Sequence, residues 1–246
     1  MKKLGLIGHP VGHSKSPLLF KTKLASIGRP EIEYSAFNLK CVEDFEDLIN
    51  TEPELMGLNV TIPHKQSIIS KLCCLDEDAQ AIGAVNTIVK TEHGWKGYNT
   101  DAYGFRQSMK PFIKGIQQRA LIFGTGGASL AVECSLSELG IKTAVVSRTP
   151  GEGQIDYDEL SSEAIAHYLL IVNCTPLGTW PEIEGCVNIP WEGVGEKHLA
   201  VDLVYNPEET TFIKKARKRG ASAMNGADML RLQAKRSLEI WIEHGL

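Results

Sequence analysis

The sequence predicts an α/β fold arranged as two α/β domains, and three observations predict it. Short apolar runs rich in branched residues alternate with amphipathic segments almost to the end of the chain. A glycine-rich turn, Gly124-Thr125-Gly126-Gly127, joins one of these runs to a helical pattern near the middle. Just before it, Pro111 ends a helical stretch and a fresh strand–loop–helix unit starts at Arg119, which marks a seam between domains. The 246 residues suffice for two small domains with a substantial core.

In chain order, Leu4–Ile7 reads as the first strand and Pro17–Ile27 as a helix, with Ser16 placed to cap it and Pro17 suited to its first turn. Tyr34–Asn38 and Gly57–Ile62 follow as strands, with helical patterns over Val42–Ile49 and His64–Leu72. Asn86–Thr91 and Trp95–Asn99 form a hairpin around Glu92-His93-Gly94, which leads into Asp101 and a helix through Met109. In the second half Arg119–Phe123, Lys142–Ser147, Tyr168–Asn173 and His198–Val204 are strands, and Ser129–Leu139 and Thr210–Lys218 are helices. The last segment, Asn225–His244, aligns Leu230, Ala234, Leu238 and Trp241 on one helical face and is expected to pack back on the first domain. The expected division is 1–101 completed by 226–246, and 102–225.

Composition narrows the function classes. Hydrophobic residues make up 43% and charged residues 23%, which excludes a disordered chain, and a net charge of -4 is too mild for a nucleic-acid or acidic-membrane partner. The basic run Lys214–Arg219 sits at a helix C-terminus, where cations complement the dipole without any nucleic acid. The apolar start, Met1–Gly8, breaks off at once in His9, Pro10, His13 and Lys15, and no later run approaches a membrane span. Six cysteines, at 41, 73, 74, 134, 174 and 186, match no zinc spacing. Reduced thiols, a cytoplasmic location and no metal are the expectation.

Chemistry enters with Ala120–Ser129, a buried strand feeding a glycine loop and a helix. Glycines allow the tight turn and the approach of backbone N–H groups to a pyrophosphate, whose charge the helix N-terminus favours. Gly124, Gly126, Gly127 and Ala128 are therefore candidates to bind a dinucleotide, in a Rossmann-type domain. The following strand ends in Ser147-Arg148-Thr149, about 20 residues on, where the adenosine ribose is expected. An acidic residue there would hold the free 2′-hydroxyl of NAD; Arg148 suits a 2′-phosphate instead, so the expected cofactor is NADP.

The first half carries several polar clusters at loop and strand ends. Ser14 and Ser16 flank a helix start; Asn59 and Thr61 share a strand face; Lys65 stands at a predicted helix N-terminus, an unfavourable place for a cation and hence a suspect for function. Asn86-Thr87 and Asn99-Thr100-Asp101 complete the set. Singly, each has a bland reading as a cap, a surface lysine or an Asx turn.

Together they resemble the shikimate dehydrogenase family over essentially the whole length. Gly8–Pro17, Gly57–Lys65, Gly83–Thr87 and Tyr98–Asp101 are similar, in order, to that family's substrate motifs. The resemblance implies an N-terminal substrate-binding domain, a Rossmann-type NADP-binding domain, and an active site in the cleft between them. It implies that Ser14 and Ser16 hold the substrate carboxylate with Tyr205, and that Thr61, Asn86, Asp101 and Gln233 bond ring hydroxyls, with Asn59 in support. Lys65 and Asp101 become the catalytic pair. Thr175, in Asn173–Gly178, and Gly226, in Asn225–Ala234, become cofactor contacts beside those of the glycine loop and of Ser147, Arg148 and Thr149. The implied activity is reversible NADPH-dependent reduction of 3-dehydroshikimate to shikimate, in the pathway to chorismate and the aromatic amino acids, by a monomer or homodimer. Lys65 as ammonium then supplies a proton to the nascent alkoxide, and oxidation accelerates at alkaline pH. A quinate/shikimate dehydrogenase using NAD, or a catalytically silent shikimate sensor, are the alternatives.

The chain departs from that family's pattern in three places. Phe20-Lys21 stands where His-Asn is usual; Ala227 follows the glycine of the last motif where a larger apolar residue is common. After Ser147-Arg148-Thr149, Glu152 in a Pro/Gly turn replaces a second basic residue. A trimmed helix and a weakened NADP preference are expected from the last.

Overall fold

The computed structural model describes residues 2–12 and 14–246. The chain divides into two compact units, 1–100 with 234–246, and 101–233. Each contains a six-stranded sheet.

The first unit comprises β1 (Lys3–Gly8), α1 (Ser16–Ser26), β2 (Glu33–Asn38), α2 (Phe45–Thr51), β3 (Leu55–Val60), β4 (Cys74–Leu75), α3 (Glu77–Ile82), β5 (Thr87–Thr91) and β6 (Gly94–Tyr98). The strand order is β2-β1-β3-β5-β6-β4. β1 runs parallel to β2 and β3, whereas β5 is antiparallel to β3 and β6, so the predicted hairpin is the element that reverses direction. β1 and β3 are apolar because almost all of their residues are buried. One core holds Ile7, Phe45, Leu58, Val60 and Ile88; another holds Leu4, Phe20, Leu24, Ala234, Leu238 and Trp241. Trp241 donates to the Ile88 carbonyl at 3.0 Å and lies where a Cβ on Gly57 would come within 2.2 Å of its Nε1, so only glycine fits at position 57.

The second unit comprises β7 (Arg119–Phe123), α5 (Gly127–Glu138), β8 (Lys142–Ser147), β9 (Ile155–Asp156), α6 (Ser162–Ala166), β10 (Leu170–Asn173), β11 (Leu199–Asp202), α7 (Thr211–Lys218) and β12 (Ser222–Met224). Every pairing in the order β12-β11-β10-β7-β8-β9 is parallel. β7 and β10 are buried on both faces, and apolar clusters cover both sides of the sheet. Two helices cross the division in the chain: α4 (Thr100–Met109) from its second residue belongs to this unit, and α8 (Ala227–Glu243) does so up to Gln233.

Three local expectations are corrected. The helix over His64–Leu72 is a 3-10 turn, Ser67–Lys71, because the Lys65 carbonyl accepts from Val85 N–H at 2.7 Å instead of continuing an α-helical ladder. Lys65 thus stands in the turn ahead of it and opens no α-helix. Ser16 is the first residue of α1 and does not cap it; Ser14 Oγ accepts from the Ser16 N–H at 3.2 Å. The helix expected from Ser129 starts two residues earlier, with Gly126 as its N-cap.

Candidate active site

In a sheet containing parallel strands, ligands bind beyond the carboxyl ends, where the strand order reverses. The first unit has this reversal between β1 and β3, since β2 lies on one side of β1 and β3 on the other. Ser14 and Ser16 follow the carboxyl end of β1, and Thr61 and Lys65 that of β3. Antiparallel β5 begins at this same end, Thr87 opposite Asn59, and Tyr98 at the end of β6 stands opposite Thr87. Asn86 and the Asn99–Thr100 stretch therefore reach the same edge. Ser14, Ser16, Thr61 and Lys65 are half-buried, while Asn59 and Asn86 are buried.

A buried hydrogen-bond network fixes the floor of this edge. The Asn59 amide donates to Asn86 O at 3.2 Å, Thr87 Oγ1 at 3.2 Å and Ser237 Oγ at 3.1 Å, and its oxygen accepts from Tyr34 Oη at 2.8 Å. Asn59 is thereby spent on internal partners, as a support. Asn86 and Thr100 form a reciprocal pair: the Thr100 N–H donates to Asn86 Oδ1 at 2.7 Å, and Asn86 Nδ2 donates to Thr100 Oγ1 at 2.9 Å. Burial raises the Tyr34 hydroxyl pKa well above its ordinary value, while a hydrogen bond with Ser16 pulls it back. Phe20, at the position where the family pattern has histidine, stacks on Tyr34 with centroids 4.5 Å apart, as a core residue.

Tyr34 and Ser237 were not singled out by the sequence as site residues, and Thr87 only as part of the Asn86-Thr87 cluster. Ser237 had one legible signal, a hydroxyl on the apolar helical face that holds Ala234, Leu238 and Trp241.

The second unit reverses its strand order between β7 and β10. Gly124 follows β7 with φ +107, and a Cβ there would lie 3.2 Å from Thr175 Cγ2, beyond β10. Glycine allows both the positive φ and this close approach. Gly126 caps α5 without a side chain, the first turn of α5 carries no acidic residue, and Ser129 Oγ turns back to Gly124 O at 2.6 Å. Uncapped amides at a twelve-residue helix N-terminus, free of nearby negative charge, fit a pyrophosphate. Gly127 and Ala128 are the first residues of that turn.

Ser147 ends β8 and its hydroxyl accepts from Thr149 N–H at 3.2 Å; Arg148 and Thr149 are exposed beyond it. The connection 148–154 contains no helix before β9, and Glu152 is exposed in it. Donors suited to a 2′-phosphate are thus Arg148 and Thr149, with a carboxylate in the same loop. Tyr157, raised in pKa by burial with the Arg148 charge opposing, stacks on Phe123 at 6.0 Å.

The last residue of β11, beside Asn173 at the end of β10, is the wholly buried Asp202. Its carboxylate accepts from Asn173 Nδ2 at 2.9 Å, Val204 N–H at 3.0 Å and the Thr210 hydroxyl. Asn173 Oδ1 in turn accepts from the Thr175 N–H at 3.0 Å and its hydroxyl at 2.6 Å. Burial pushes Asp202 up to about 6 despite these donors. The relay from Asp202 through Asn173 sets the conformation at Thr175. Tyr205, half-buried, follows β11; Gly226, buried, donates its N–H to Val204 O at 3.2 Å; Asp101, buried, lies in the first turn of α4, and Gln233, half-buried, on α8.

Comparison with known proteins resolves what this set belongs to. Residues 6–88 match the family described as shikimate dehydrogenase substrate binding domain. A shikimate dehydrogenase (NADP(+)) of Crocosphaera subtropica is 38% identical over 98% of this chain and 91% of its own. The chain belongs to the shikimate dehydrogenase family. A crystal structure of the Thermus thermophilus shikimate 5-dehydrogenase with NADP(H) and shikimate is similar at TM-score 0.85 and 32% identity, over 99% of this chain and 94% of that one. A quinate dehydrogenase from Corynebacterium glutamicum in complex with NAD is similar at TM-score 0.85 and 26% identity, over 98% and 94%. Membership therefore agrees with the resemblance read from the motifs. Among the described residues, no helix is long and apolar enough to cross a membrane.

Proposed function

We propose that this member of the shikimate dehydrogenase family catalyses the reversible, NADP-linked interconversion of 3-dehydroshikimate and shikimate, as a step toward chorismate and the aromatic amino acids. The observation that carries the reading is its 38% identity, over nearly full length, to an NADP-dependent shikimate dehydrogenase. A cytoplasmic location fits six free cysteines, and the working unit is a monomer or homodimer.

Ser14 and Ser16, with Tyr205, take the substrate carboxylate as hydroxyl donors; Thr61, Asn86, Asp101 and Gln233 take the ring hydroxyls, which need both donors and acceptors. Asn59, Tyr34, Thr87 and Ser237 hold the first-unit floor rigid, which preserves orientation of the reacting carbon. In the second unit Gly124, Gly126, Gly127 and Ala128 hold the pyrophosphate, Ser147, Arg148 and Thr149 the 2′-phosphorylated ribose, and Thr175 and Gly226 the nicotinamide end. NADPH, when bound, supplies hydride to the ring carbonyl.

The chain's own part in the chemistry is the proton. Reduction of a carbonyl leaves an alkoxide oxygen that must be protonated, and Lys65 as ammonium is the donor. Asp101 carries the complementary negative charge and accepts from the substrate hydroxyl. In the oxidative direction Lys65 takes that proton back.

An NAD-linked quinate/shikimate dehydrogenase is the second reading, favoured by Glu152 where a second 2′-phosphate cation is expected. Purified protein is mixed with shikimate or quinate and with NADP or NAD, and reduced nicotinamide is followed by absorbance. Rapid reduction of NADP with shikimate supports the first reading. Faster reduction of NAD, or turnover of quinate at a matching rate, replaces it with the second, and no turnover by folded protein leaves a sensor.

A further inference from the structure

Successive residues of an extended strand point to opposite faces, so neighbouring cysteines in a strand cannot ordinarily act together. Cys73 and Cys74 break that rule. The chain bends at Cys73 as it enters β4, and the two Sγ atoms lie 3.4 Å apart. Both residues are exposed and both thiols are free. The separation is well beyond the about 2.05 Å of a disulfide and leaves two sulfurs side by side.

The pair is held in this arrangement from both flanks. The Cys73 N–H donates to Trp95 O at 2.9 Å and the Asp76 N–H to Gly97 O at 2.9 Å, while Cys74 pairs with Lys96 on β6. Leu72 and Leu75 close over Gly97, their methyl carbons 2.7 and 2.8 Å from where its Cβ would stand. The thiols thus sit on a backbone fixed on either side, and little ordering remains to be done on binding. The Cys73 thiol bonds Cys74 and raises its pKa, with the nearby Lys96 charge pulling the other way.

We propose that Cys73 and Cys74 form a two-thiol site that captures a thiophilic trivalent centre such as an organic arsenoxide, binding it through both sulfurs at once. The reaction is a condensation: an arsenoxide and two thiols give one arsenic–sulfur bond to each cysteine, and the oxide leaves as water with both thiol protons. Arsenic stays trivalent and no oxidant is needed. The first bond makes the second intramolecular, so the chelate far outlasts any adduct with a single thiol. The site lies at the edge strand of the first unit and uses none of the residues assigned to catalysis.

The test uses phenylarsine oxide with the full-length protein and intact-mass spectrometry. One phenylarsenic group per chain is expected, resistant to excess monothiol and released by 1,2-ethanedithiol. Cys73→Ser and Cys74→Ser should each lose the monothiol-resistant adduct, while Cys41→Ser retains it. Turnover measured in parallel reports that each variant is folded. Failure of the wild-type protein to form the adduct, release by monothiol, or persistence of a resistant adduct in either serine variant at position 73 or 74 overturns the proposal.

Discussion

The Asn173 side-chain amide donates at 2.9 Å to the carboxylate of Asp202, which is wholly removed from solvent. No cation is among the causes acting on Asp202; it is held by neutral donors, so burial outweighs them and the pKa rises from an ordinary 3.8 to about 6. The native state then binds the proton more tightly than the unfolded chain between these values. Stability from this group is present below about pH 4 and is lost as pH rises through about 6. At about 1.4 kcal/mol per pH unit, the charged form costs the native state up to roughly 3 kcal/mol at neutral pH.

Asp202→Asn removes the titration and keeps the contacts, since its oxygen can accept from Asn173 and Val204 and the Thr210 hydroxyl can turn to accept from the new amide. Urea unfolding of both proteins between pH 4 and 7 measures the difference. The wild-type protein should lose stability relative to the variant across that window and track it above. A difference that stays constant with pH means the carboxylate titrates no differently in the folded protein.

Lys65→Ala tests the proton donor. General acid catalysis contributes about 10²–10⁴-fold, and kcat should fall within that range while the KM for shikimate changes little. Lys65 is half-buried in a turn whose backbone is held by the Val85–Lys65 hydrogen bond, which the substitution leaves in place. Circular dichroism and the thermal midpoint should therefore match the wild-type protein. A variant that retains most of its kcat sinks the assignment.

The contrast between Lys65 and Ser237 explains what the sequence could disclose. Local rules made β7, the glycine turn and Arg148 legible, because an apolar run, a positive-φ position and a cation at a strand end each leave a mark within a few residues. The four polar clusters of the first half were legible only as a set. Tyr34 was not, and Ser237 showed only as a hydroxyl on an apolar face, since their meaning lies in partners far away in the chain: Ser237 meets Asn59 across 178 positions. The two-residue strands β4 and β9 are too short to show a period, and α6, five residues long, is shorter than any helical pattern can be counted over. At Lys65 the expected helix start is a turn instead, because the apolar spacing over 64–72 does not distinguish a 3-10 turn from an α-helix.

Glu152 sets the next prediction. It is exposed in the helix-free loop that follows Arg148, on the side of β8 assigned to the 2′-phosphate. A hydrogen bond to a charged group contributes about 1.5–3 kcal/mol. Glu152→Lys both removes a repulsive charge and offers such a donor, so the KM for NADP should fall on the order of tenfold with that for NAD nearly unchanged. Equal effects on the two cofactors would mean that residue 152 does not face the 2′ position.

Ser237→Ala tests the floor beneath the substrate residues. The hydroxyl lies 2.8 Å from Thr87 Oγ1 and 3.1 Å from Thr100 Oγ1 and accepts from the Asn59 amide, with no solvent exposure at Ser237. Its removal takes one hydrogen bond each from Asn59 on β3, Thr87 on β5 and Thr100 on α4, which keep their bonds to one another and to Asn86, a loss of about 0.5–1.5 kcal/mol for each bond. Asn86 remains paired with Thr100, yet Thr100 loses one of its restraints, so the loss should extend to substrate binding. The expected result is a lower urea midpoint together with a raised KM for shikimate, while the KM for NADP holds steady. If stability falls and the KM for shikimate does not move, the network braces the helix α8 alone and does not position the substrate residues.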